Sequence, residues 1–380
     1  MANVQGECTP RFQRVKDLLE QYVASDEERG ASVCVNIDGE TVVDIWAGYT
    51  DSERASPWTK DTLTAVWSTT KCITNLAALM LIDRGLLHPD EKVATYWPEF
   101  GANGKQDILV RHILSHTSGL PAWEQPITTE DIYDVPKATE RLAGQAPWWT
   151  PGTASGYQLI SQGHLVGELV RRVSGKSLRD FVKTEIAEPL SADFSIGAPE
   201  QDWGRIADMI TQPAALPPGI DMDSLFMKAV MGTPMKAEFA DTAEFRNAGL
   251  GGMGGFGNAR SIVAILSAIS LGGSVGGKRL LSEETIDLIF QEQASGQDLI
   301  LMTPLTFGIG FALATKAGTN GWVPEGRKCW WTGWGGSAAI MDLDNRITIG
   351  YAMNKMGEGM VGSPRTAAFV KAIYSALLEE

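Results

Sequence analysis

A serine and a lysine three residues apart carry the most chemical information in this sequence. Ser68-Thr69-Thr70-Lys71 precedes an apolar run with helical spacing, so the hydroxyl and the amine are predicted to share one helical face. Serine is a poor nucleophile until a base takes its proton, and a partly desolvated lysine can help in that step. Near a helix N-terminus, free N–H groups can also hold a developing oxyanion. Taken alone, the tetrapeptide favours a plainer interpretation, a capping Ser68 beside a solvated Lys71.

Two downstream segments offer the further groups that a Ser–Lys nucleophile needs. Tyr157 follows the turn Pro151-Gly152-Thr153, and a tyrosine beside cations can pass protons. Taken alone, it is better explained as a partly buried structural residue. Near the C-terminus, the glycine-rich segment 331–337 is predicted to lie on a strand, where glycines mark a close approach of backbone or ligand. A backbone N–H there can complete an oxyanion hole.

Composition narrows the classes of protein to which the chain can belong. At 380 residues, with 44% hydrophobic and 21% charged residues, it is typical of a globular protein with one large two-lobed domain or two domains. A net charge of −14 argues against nucleic acid and anionic membranes as partners. There is no apolar run long enough to span a membrane, and residues 1–10 hold no apolar stretch of signal-peptide length. We therefore expect a cytoplasmic protein.

Cysteines and histidines are too few and too scattered for a metal centre or a disulfide scaffold. The four cysteines have no C-x-x-C spacing, and no two of the four histidines stand four residues apart with a glutamate between them. No nucleotide-binding glycine motif is complete, and there is no G-x-S-x-G elbow. The sequence therefore predicts chemistry without a metal or cofactor.

The hydrophobic periodicity predicts mixed structure at both ends of the chain and a helical middle. The predicted strands are residues 31–37, 41–47, 307–314, 328–331, 337–342 and 347–353; the predicted helices are 11–24, the Ser68 helix ending near 83–85, 110–114, 162–173, 258–271 and 364–378. Hairpin turns between the strands predict an antiparallel sheet flanked by helices, in a three-layer α/β/α arrangement of the α+β class. We expect an α/β lobe from residues 1–86 and 258–380, with a mostly helical lobe, residues 87–257, inserted between them.

Residues 200–245 are poorly periodic and rich in proline and methionine. Their five methionines are Met209, Met222, Met227, Met231 and Met235. Two interpretations carry equal weight: a mobile apolar flap over a pocket, or an irregular packed excursion.

The order and spacing of these segments resemble the serine beta-lactamase and penicillin-binding-protein superfamily, specifically its esterase branch, the family VIII carboxylesterases. Residues 110–120, Val-Arg-His-Ile-Leu-Ser-His-Thr-Ser-Gly-Leu, are similar to a highly specific segment of that superfamily. Residues 86–100, 152–157, 167–170 and 188–190 also fit its pattern. The resemblance covers nearly the whole chain and implies a serine beta-lactamase-like fold.

The resemblance implies a role for each candidate residue. Ser68 would be the acylated nucleophile, Lys71 the cation beside it, and Tyr157 the general base for Ser68 and later for water. Trp331-Thr332-Gly333 occupies the place of the Lys-Thr-Gly triad of beta-lactamases. The N–H groups of Ser68 and Trp334 would form the oxyanion hole; the alternative is a shifted register that uses the N–H of Ser337. Of the remaining candidates, His112, His116 and Cys72 are expected to be structural.

Two departures from the beta-lactamase pattern favour ester substrates. Leu159 stands where the family has an asparagine that binds the substrate amide, and Trp331 stands where it has a lysine that binds a carboxylate. Both changes replace a polar anchor with apolar wall, which fits an apolar acyl or alcohol group better. The predicted pocket residues are Trp331, Gly333, Trp334, Leu159 and Trp123.

The sequence therefore predicts a serine carboxylesterase for small to medium esters with an apolar part, acting through an acyl-enzyme on Ser68 with Tyr157 and Lys71 as the base. Three alternatives stay open: an acyltransferase using the same acyl-enzyme, a weak beta-lactamase or D-amino-acid amidase, and a non-catalytic ligand-binding relative. The expected partner is a small-molecule ester.

Overall fold

A large antiparallel sheet built from both ends of the chain organises the fold. The computed structural model describes residues 4–211, 219–316, 318 and 321–378. The strands are β1 (Gln5–Cys8), β2 (Gly30–Ile37), β3 (Glu40–Gly48), β4 (Thr64–Ala65), β5 (Ser195–Ile196), β6 (Gly255–Gly257), β7 (Ser274–Val275), β8 (Lys278–Arg279), β9 (Ala294–Gln297), β10 (Pro304–Phe307), β11 (Ala312–Leu313), β12 (Lys328–Thr332), β13 (Ala338–Asp342) and β14 (Ile347–Met353). Within those residues, nine strands form this main sheet in the order β1-β3-β2-β14-β13-β12-β11-β10-β9.

The two ends of the chain meet at the centre of the main sheet. Strand β2 pairs antiparallel with β14, in register from Ile37 opposite Ile347 to Ala31 opposite Met353. β2 and β3 form the predicted hairpin, and both residues of its turn, Asp38 and Gly39, have positive φ as a tight hairpin turn requires. Every pairing in this sheet is antiparallel, so the predicted sheet type is confirmed.

Helices cover both faces of the main sheet. They are α1 (Gln13–Ala24), α2 (Thr70–Asp83), α3 (Val93–Tyr96), α4 (Val110–Leu114), α5 (Thr129–Tyr133), α6 (Val135–Gly144), α7 (Ser161–Ser174), α8 (Leu178–Phe181), α9 (Leu225–Met231), α10 (Ala243–Ala248), α11 (Ala259–Ser270), α12 (Glu283–Ile289) and α13 (Pro364–Leu378). On β14, Tyr351 packs against Phe369 of α13, whereas the backbone at Gly350 lies against Val263 of α11. Successive strand residues point to opposite faces, so this pair confirms the three-layer arrangement.

Helix α2 joins the main sheet to the helical part of the chain. Residues 70–81 of this helix are all buried, because α2 contacts α7 on one side and β12 and α11 on others. A helix that is buried on all sides is a core helix. One contiguous apolar core therefore runs through both predicted lobes. The short sheet β4-β6-β5 also pairs strands from both lobes, and the predicted lobe boundaries stay a prediction.

Most predicted elements match, and two strand predictions do not. The segment 331–337, predicted to lie on a strand, is extended only to Thr332 and then forms the turn between β12 and β13. The predicted single strand 307–314 is wrong: β10 and β11 form a tight hairpin in which Phe307 pairs with Ala312. The turn needs glycine, because Gly310 has a φ of +90° and a β-carbon on Gly308 would lie 1.9 Å from the Ile289 carbonyl oxygen. The edge strands β1 and β9 were not predicted, since both are short and polar.

Irregular segments complete the description. The 3-10 turns are Pro10–Phe12, Trp67–Thr69, Pro98–Gly101, Glu200–Arg205 and Ala237–Asp241, and a π-helical stretch follows α8 at Val182–Ala187. The first of these turns explains why α1 begins at Gln13 rather than Arg11. Of the proposed flap at 200–245, residues 212–218 lie outside the described residues; the remainder contains α9, α10 and two 3-10 turns. In the described segments no helix combines the length and apolarity needed to cross a membrane.

Candidate active site

Ser68 lies on a strained turn that leads into α2. The 3-10 turn Trp67–Thr69 connects β4 to this helix, and Trp67 adopts a left-handed φ of +48°. A bulky residue in that region is strained and is held there by its surroundings. The Trp67 ring packs against Phe245 at 5.7 Å and against Trp334 at 5.4 Å between ring centroids. Ser68 remains half-buried between two fully buried neighbours, so the turn presents its hydroxyl at the surface of a packed core.

Lys71 is buried directly beneath the serine. Its Nζ lies 3.1 Å from Ser68 Oγ and donates hydrogen bonds of 2.7 Å to the carbonyl oxygens of Leu159 and Gly252. Burial lowers the pKa of Lys71 well below its usual value. A neutral amine has two N–H groups and one lone pair. If the two carbonyls take both N–H groups, the lone pair is left for the proton of Ser68.

A glycine-rich segment, residues 248–257, holds the Gly252 carbonyl in place, and we call this segment the strap. Gly252 packs so closely on the start of α7 that a β-carbon on it would lie 2.4 Å from the Ile160 carbonyl oxygen. The neighbouring carbonyl of Gly251 accepts a hydrogen bond of 2.7 Å from Thr74 Oγ1, one turn beyond Lys71 on α2. The strap therefore holds successive turns of α2. The sequence showed the glycine density at 248–257 but not this function.

Tyr157 is buried beside Lys71. Its phenol oxygen accepts a hydrogen bond of 2.8 Å from the indole Nε1 of Trp331. Lys71 Nζ lies 4.8 Å from the centre of the Tyr157 ring. Burial raises the pKa of Tyr157 well above its usual value, and the nearby Ser68 hydroxyl and the hydrogen bond from Trp331 only partly offset that rise. The structure therefore brings together Ser68, Lys71 and Tyr157, with a neutral phenol in the resting state.

Aromatic rings and a buried carboxylate surround Tyr157. The His116 ring lies 4.7 Å from the Tyr157 ring and 4.8 Å from Phe307, and the Trp331 ring is tilted against Tyr157 at 4.8 Å between centroids. The fully buried Asp298 accepts a hydrogen bond of 3.0 Å from the backbone N–H of Tyr157. Sequence reasoning did not select Phe307 or Asp298, and it treated His116 only as a structural residue.

The turn after β12 is fastened to the turn that carries Ser68. Ser337 Oγ donates a hydrogen bond of 2.7 Å to the Val66 carbonyl and lies 3.0 Å from Thr69 Oγ1. A β-carbon on Gly333 would lie 2.3 Å from the same Val66 oxygen, so glycine is required for this approach. Among the described residues, the backbone N–H groups of Ser68, Trp334 and Ser337 have no hydrogen-bond acceptor. Ser68 and the second donor of either predicted register are thus free on adjoining segments, as an oxyanion hole needs.

The predicted pocket residues divide into two groups. Trp331 contacts Tyr157, whereas Gly333 and Trp334 lie against Trp67, the neighbour of Ser68. Leu159 reaches the site through its carbonyl while its side chain is half-buried. Trp123 is placed differently. Its buried indole donates a hydrogen bond of 2.8 Å to the Ala138 carbonyl of α6 and meets His164 of α7 edge-on. Its contacts are therefore with the helical part of the core.

Comparison with known proteins places this geometry in a family. A family model described as beta-lactamase matches residues 15–371. The chain belongs to the beta-lactamase family. The esterase/beta-lactamase LipL of Mycobacterium tuberculosis is 31% identical over 81% of this chain and 74% of its own length. The esterase EstB of Burkholderia gladioli is 26% identical over 95% of both chains.

A solved structure shows that the similarity covers the fold of nearly the whole chain. The crystal structure of a family VIII carboxylesterase superposes with a TM-score of 0.90 at 35% identity, over 98% of this chain and 100% of that one. The predicted resemblance to the esterase branch of the superfamily is confirmed, and so are the beta-lactamase-like fold and the assignment to its serine hydrolases.

Proposed function

We propose that this protein is a carboxylesterase that hydrolyses small to medium esters through an acyl-enzyme on Ser68. One observation carries the proposal: Lys71 Nζ lies 3.1 Å from Ser68 Oγ while two backbone carbonyls hold its N–H groups. This is the arrangement of a nucleophile with its base already in place. The names of EstB, LipL and the family VIII structure support an ester as the substrate.

The proposed reaction has two acyl-transfer steps. In the first, Ser68 Oγ bonds to the ester carbonyl carbon while its proton passes to the Tyr157–Lys71 pair. The lowered pKa of Lys71 makes its neutral amine the acceptor, and the neutral phenol of Tyr157 delivers a proton to the departing alkoxide. In the second step, the same pair takes a proton from water as water attacks the acyl-enzyme. The carboxylic acid is released, and Ser68 regains its hydrogen.

The negative oxygen formed in each step needs two donors. We assign the backbone N–H groups of Ser68 and Trp334, which lie on segments joined by Ser337. The alternative register would use the N–H of Ser337, a residue with no exposed surface. Trp334 is half-buried, so its N–H is on the more accessible of the two residues. Such donors are worth about 10²–10³-fold in kcat.

The walls of the site favour an ester without a carboxylate near the scissile bond. Trp331 replaces the lysine that would bind such a carboxylate, and the only N–H of its side chain already donates to Tyr157. We assign Trp331, Trp334 and the side chain of Leu159 to the apolar wall. A screen of p-nitrophenyl esters of increasing acyl length would define the chain that this wall accepts.

The nucleophile is tested with Ser68→Ala and with Ser56→Ala, an exposed serine on a turn, as the matched control. Ser68→Ala is expected to abolish hydrolysis of a short-chain p-nitrophenyl ester, and Ser56→Ala to retain it. Intact-mass spectrometry after a fluorophosphonate probe should show one adduct, on Ser68. Activity of Ser68→Ala equal to wild type would overturn the assignment, and absence of the adduct would favour a non-catalytic relative.

A second activity, hydrolysis of beta-lactams, is favoured by one observation. LipL, whose name joins esterase and beta-lactamase, is 31% identical to this chain. Turnover of nitrocefin that disappears in Ser68→Ala would establish it as a side reaction of the same acyl-enzyme. An added alcohol acceptor tests acyl transfer in the same assay, because a new ester product would report an alcohol in place of water.

A further inference from the structure

Three successive backbone amides around Tyr157 are held by two buried residues. The N–H of Gly156 donates to the carbonyl oxygen of His116 at 2.9 Å, and the N–H of Gln158 donates to His116 Nδ1 at 3.1 Å. Between them, the N–H of Tyr157 donates to Asp298 Oδ1 at 3.0 Å. The backbone on both sides of the phenol is therefore fixed by acceptors from two other segments. We call His116 and Asp298 the Tyr157 clamp.

One oxygen of Asp298 accepts hydrogen bonds from the backbone amides of two segments. Besides Tyr157, its Oδ1 accepts hydrogen bonds of 2.9 Å from the N–H groups of Ile300 and Leu301 in its own turn. The same turn is tied to the tyrosine segment a second time, because the N–H of Leu299 donates to the Ser155 carbonyl at 2.9 Å. A buried carboxylate is costly unless hydrogen bonds satisfy it. Here three N–H groups supply that stabilisation at Oδ1, and one of them is the amide of the tyrosine itself, whereas the buried Oδ2 has no hydrogen-bond partner among the described residues.

His116 acts from the opposite side of Tyr157. It adopts a left-handed φ of +61°, which lets its carbonyl and its ring both face the tyrosine segment. Burial lowers the pKa of His116 well below its usual value, so the ring is neutral and Nδ1 is an acceptor. Its ring also packs at a tilt against Tyr157 and Phe307, with 4.7 Å and 4.8 Å between centroids. Both ring nitrogens have protein neighbours, because Nδ1 accepts from the Gln158 N–H and Nε2 lies 3.4 Å from Gln162 Nε2, and this favours a scaffold role for His116.

We propose that His116 and Asp298 are positioning residues that hold the phenol of Tyr157 in line with Ser68 and Lys71. The inference rests on the proposed function, because it assigns the clamp to the proton transfer in which Tyr157 takes part. Proton transfer depends steeply on geometry, and a misplacement of about 1 Å can cost about 10²-fold in rate. Tyr157 follows a turn rather than lying within a helix or strand, so the clamp replaces the rigidity that regular structure would supply.

The test uses pairs of variants that separate the hydrogen-bond acceptor from the bulk of the side chain. Asp298→Ala removes the acceptor, whereas Asp298→Asn keeps an oxygen at Oδ1 without the charge. His116→Phe keeps a ring without an acceptor, and His116→Asn keeps an acceptor on a residue that tolerates positive φ. Asp83→Ala is the matched control, because Asp83 Oδ1 likewise accepts from Ser282 N and Thr285 Oγ1 but lies at the far end of α2.

The readout is kcat per active site, counted as the Ser68 adduct after prolonged fluorophosphonate labelling. We expect Asp298→Ala and His116→Phe to lower this value by about 10²-fold with KM nearly unchanged. Asp298→Asn and His116→Asn should recover most of the loss, and Asp83→Ala should change only thermal stability. An unchanged kcat per site in both Asp298→Ala and His116→Phe would overturn the proposal. So would an Asp298→Asn variant as slow as Asp298→Ala.

A double-mutant cycle separates positioning from general destabilisation. If the clamp acts through the phenol, Asp298→Ala and His116→Phe have no further effect in a Tyr157→Phe background. A further loss of the residual rate in that background would show that they act by another route and would overturn the proposal. The proposed function fails separately, when Ser68→Ala and Tyr157→Phe both retain full activity. If Asp298→Ala does not fold, the His116 pair gives the same test.

Discussion

The indole Nε1 of Trp331 donates a hydrogen bond of 2.8 Å to the phenol oxygen of Tyr157. An indole N–H donates at every pH and never accepts, so the phenol always receives this bond. The bond lowers the pKa of Tyr157 and so opposes the effect of burial. Trp331 therefore contributes more than the apolar wall that the sequence predicts. It supplies a fixed hydrogen-bond donor to the phenol.

Replacing Trp331 with phenylalanine is expected to slow the reaction while keeping an aromatic wall. Loss of the donor raises the pKa of Tyr157 further, which disfavours any negative charge on its oxygen during proton transfer. Hydrogen bonds to charged groups are worth about 1.5–3 kcal/mol, so kcat/KM should fall by about 10–100-fold. The pH–rate profile would also shift to higher pH wherever Tyr157 controls it.

Trp330→Phe is the control for this change. Trp330 is the neighbour on the same strand, and its buried Nε1 has no hydrogen-bond partner among the described residues. Phenylalanine there removes bulk but no bond, so thermal stability should fall while the pH–rate profile stays in place. Equal effects of the two substitutions on that profile would contradict a donor role for Trp331.

Activity is expected to fall at low pH because Lys71 takes up a proton. As the pH drops through the lowered pKa of Lys71, Nζ loses the lone pair that accepts the Ser68 proton. kcat/KM measured against pH should then decline with a slope of one on the acid side. Lys71→Arg retains a cation and donors but cannot lose its proton, so it should be inactive throughout. Substantial activity of Lys71→Arg at any pH would rule out the neutral amine as the base.

The same group makes folding stability depend on pH in a defined direction. The folded pKa of Lys71 lies below its unfolded value near 10.5, so between the two the unfolded chain binds one more proton. The free energy of unfolding should therefore rise with pH in that window, by up to about 1.4 kcal/mol per pH unit relative to Lys71→Met. The two carbonyls that Lys71→Met leaves without a donor add only an offset that is independent of pH. Urea unfolding at several pH values gives both slopes, and parallel slopes would mean that the amine is charged in the folded protein.

The part of the site that could be predicted from the sequence is the part made of side chains with a recognisable spacing. Ser68 and Lys71 are neighbours on one turn of α2, so local geometry alone brings them together. Tyr157 could be predicted from the turn that precedes it and from the family resemblance. The elements that carry these residues also followed from periodicity and turn signals, as α4, β14 and α13 show by matching their predicted bounds.

The groups that the sequence did not reveal are backbone atoms and distant loop residues. The carbonyls of Leu159 and Gly252 that hold Lys71 have no signature, because every residue carries a carbonyl. Asp298 lies 141 positions from the amide that it binds, and a single aspartate after a short edge strand looks like an ordinary turn residue. The hairpin of β10 and β11 was missed for a related reason, since an apolar run hides a turn in which Gly308 is required by its contact with Ile289 and Gly310 by its positive φ.

Replacing Gly163 of α7 with alanine is expected to disturb Lys71, because Gly163 packs against the strap that binds the lysine. A β-carbon at Gly163 would lie 1.9 Å from the backbone nitrogen of Gly252, so the strap that holds Lys71 must move. Overpacking of this kind costs about 1–3 kcal/mol, and Gly163→Ala should lower both the free energy of unfolding and kcat/KM. Gly167→Ala is the control one turn along, where the β-carbon meets Leu178 at an ordinary 3.5 Å. It should be neutral or stabilising by up to about 1 kcal/mol, because alanine favours the helix. Equal losses in the two variants would contradict a specific effect on the strap.

Leu159 has two separable contributions, since its carbonyl binds Lys71 while its half-buried side chain is assigned to the substrate wall. Leu159→Ala keeps the carbonyl and removes most of the wall, so it should affect substrate preference rather than the base. Methylene groups in an apolar pocket are worth about 1–3 kcal/mol, which predicts a loss of about 10–200-fold in kcat/KM for a hexanoyl ester. An acetyl ester should be affected little, and the acid side of the pH–rate profile should not move. The same fractional loss for both esters, or a shifted acid limb, would show that the side chain supports Lys71 instead of contacting the acyl group.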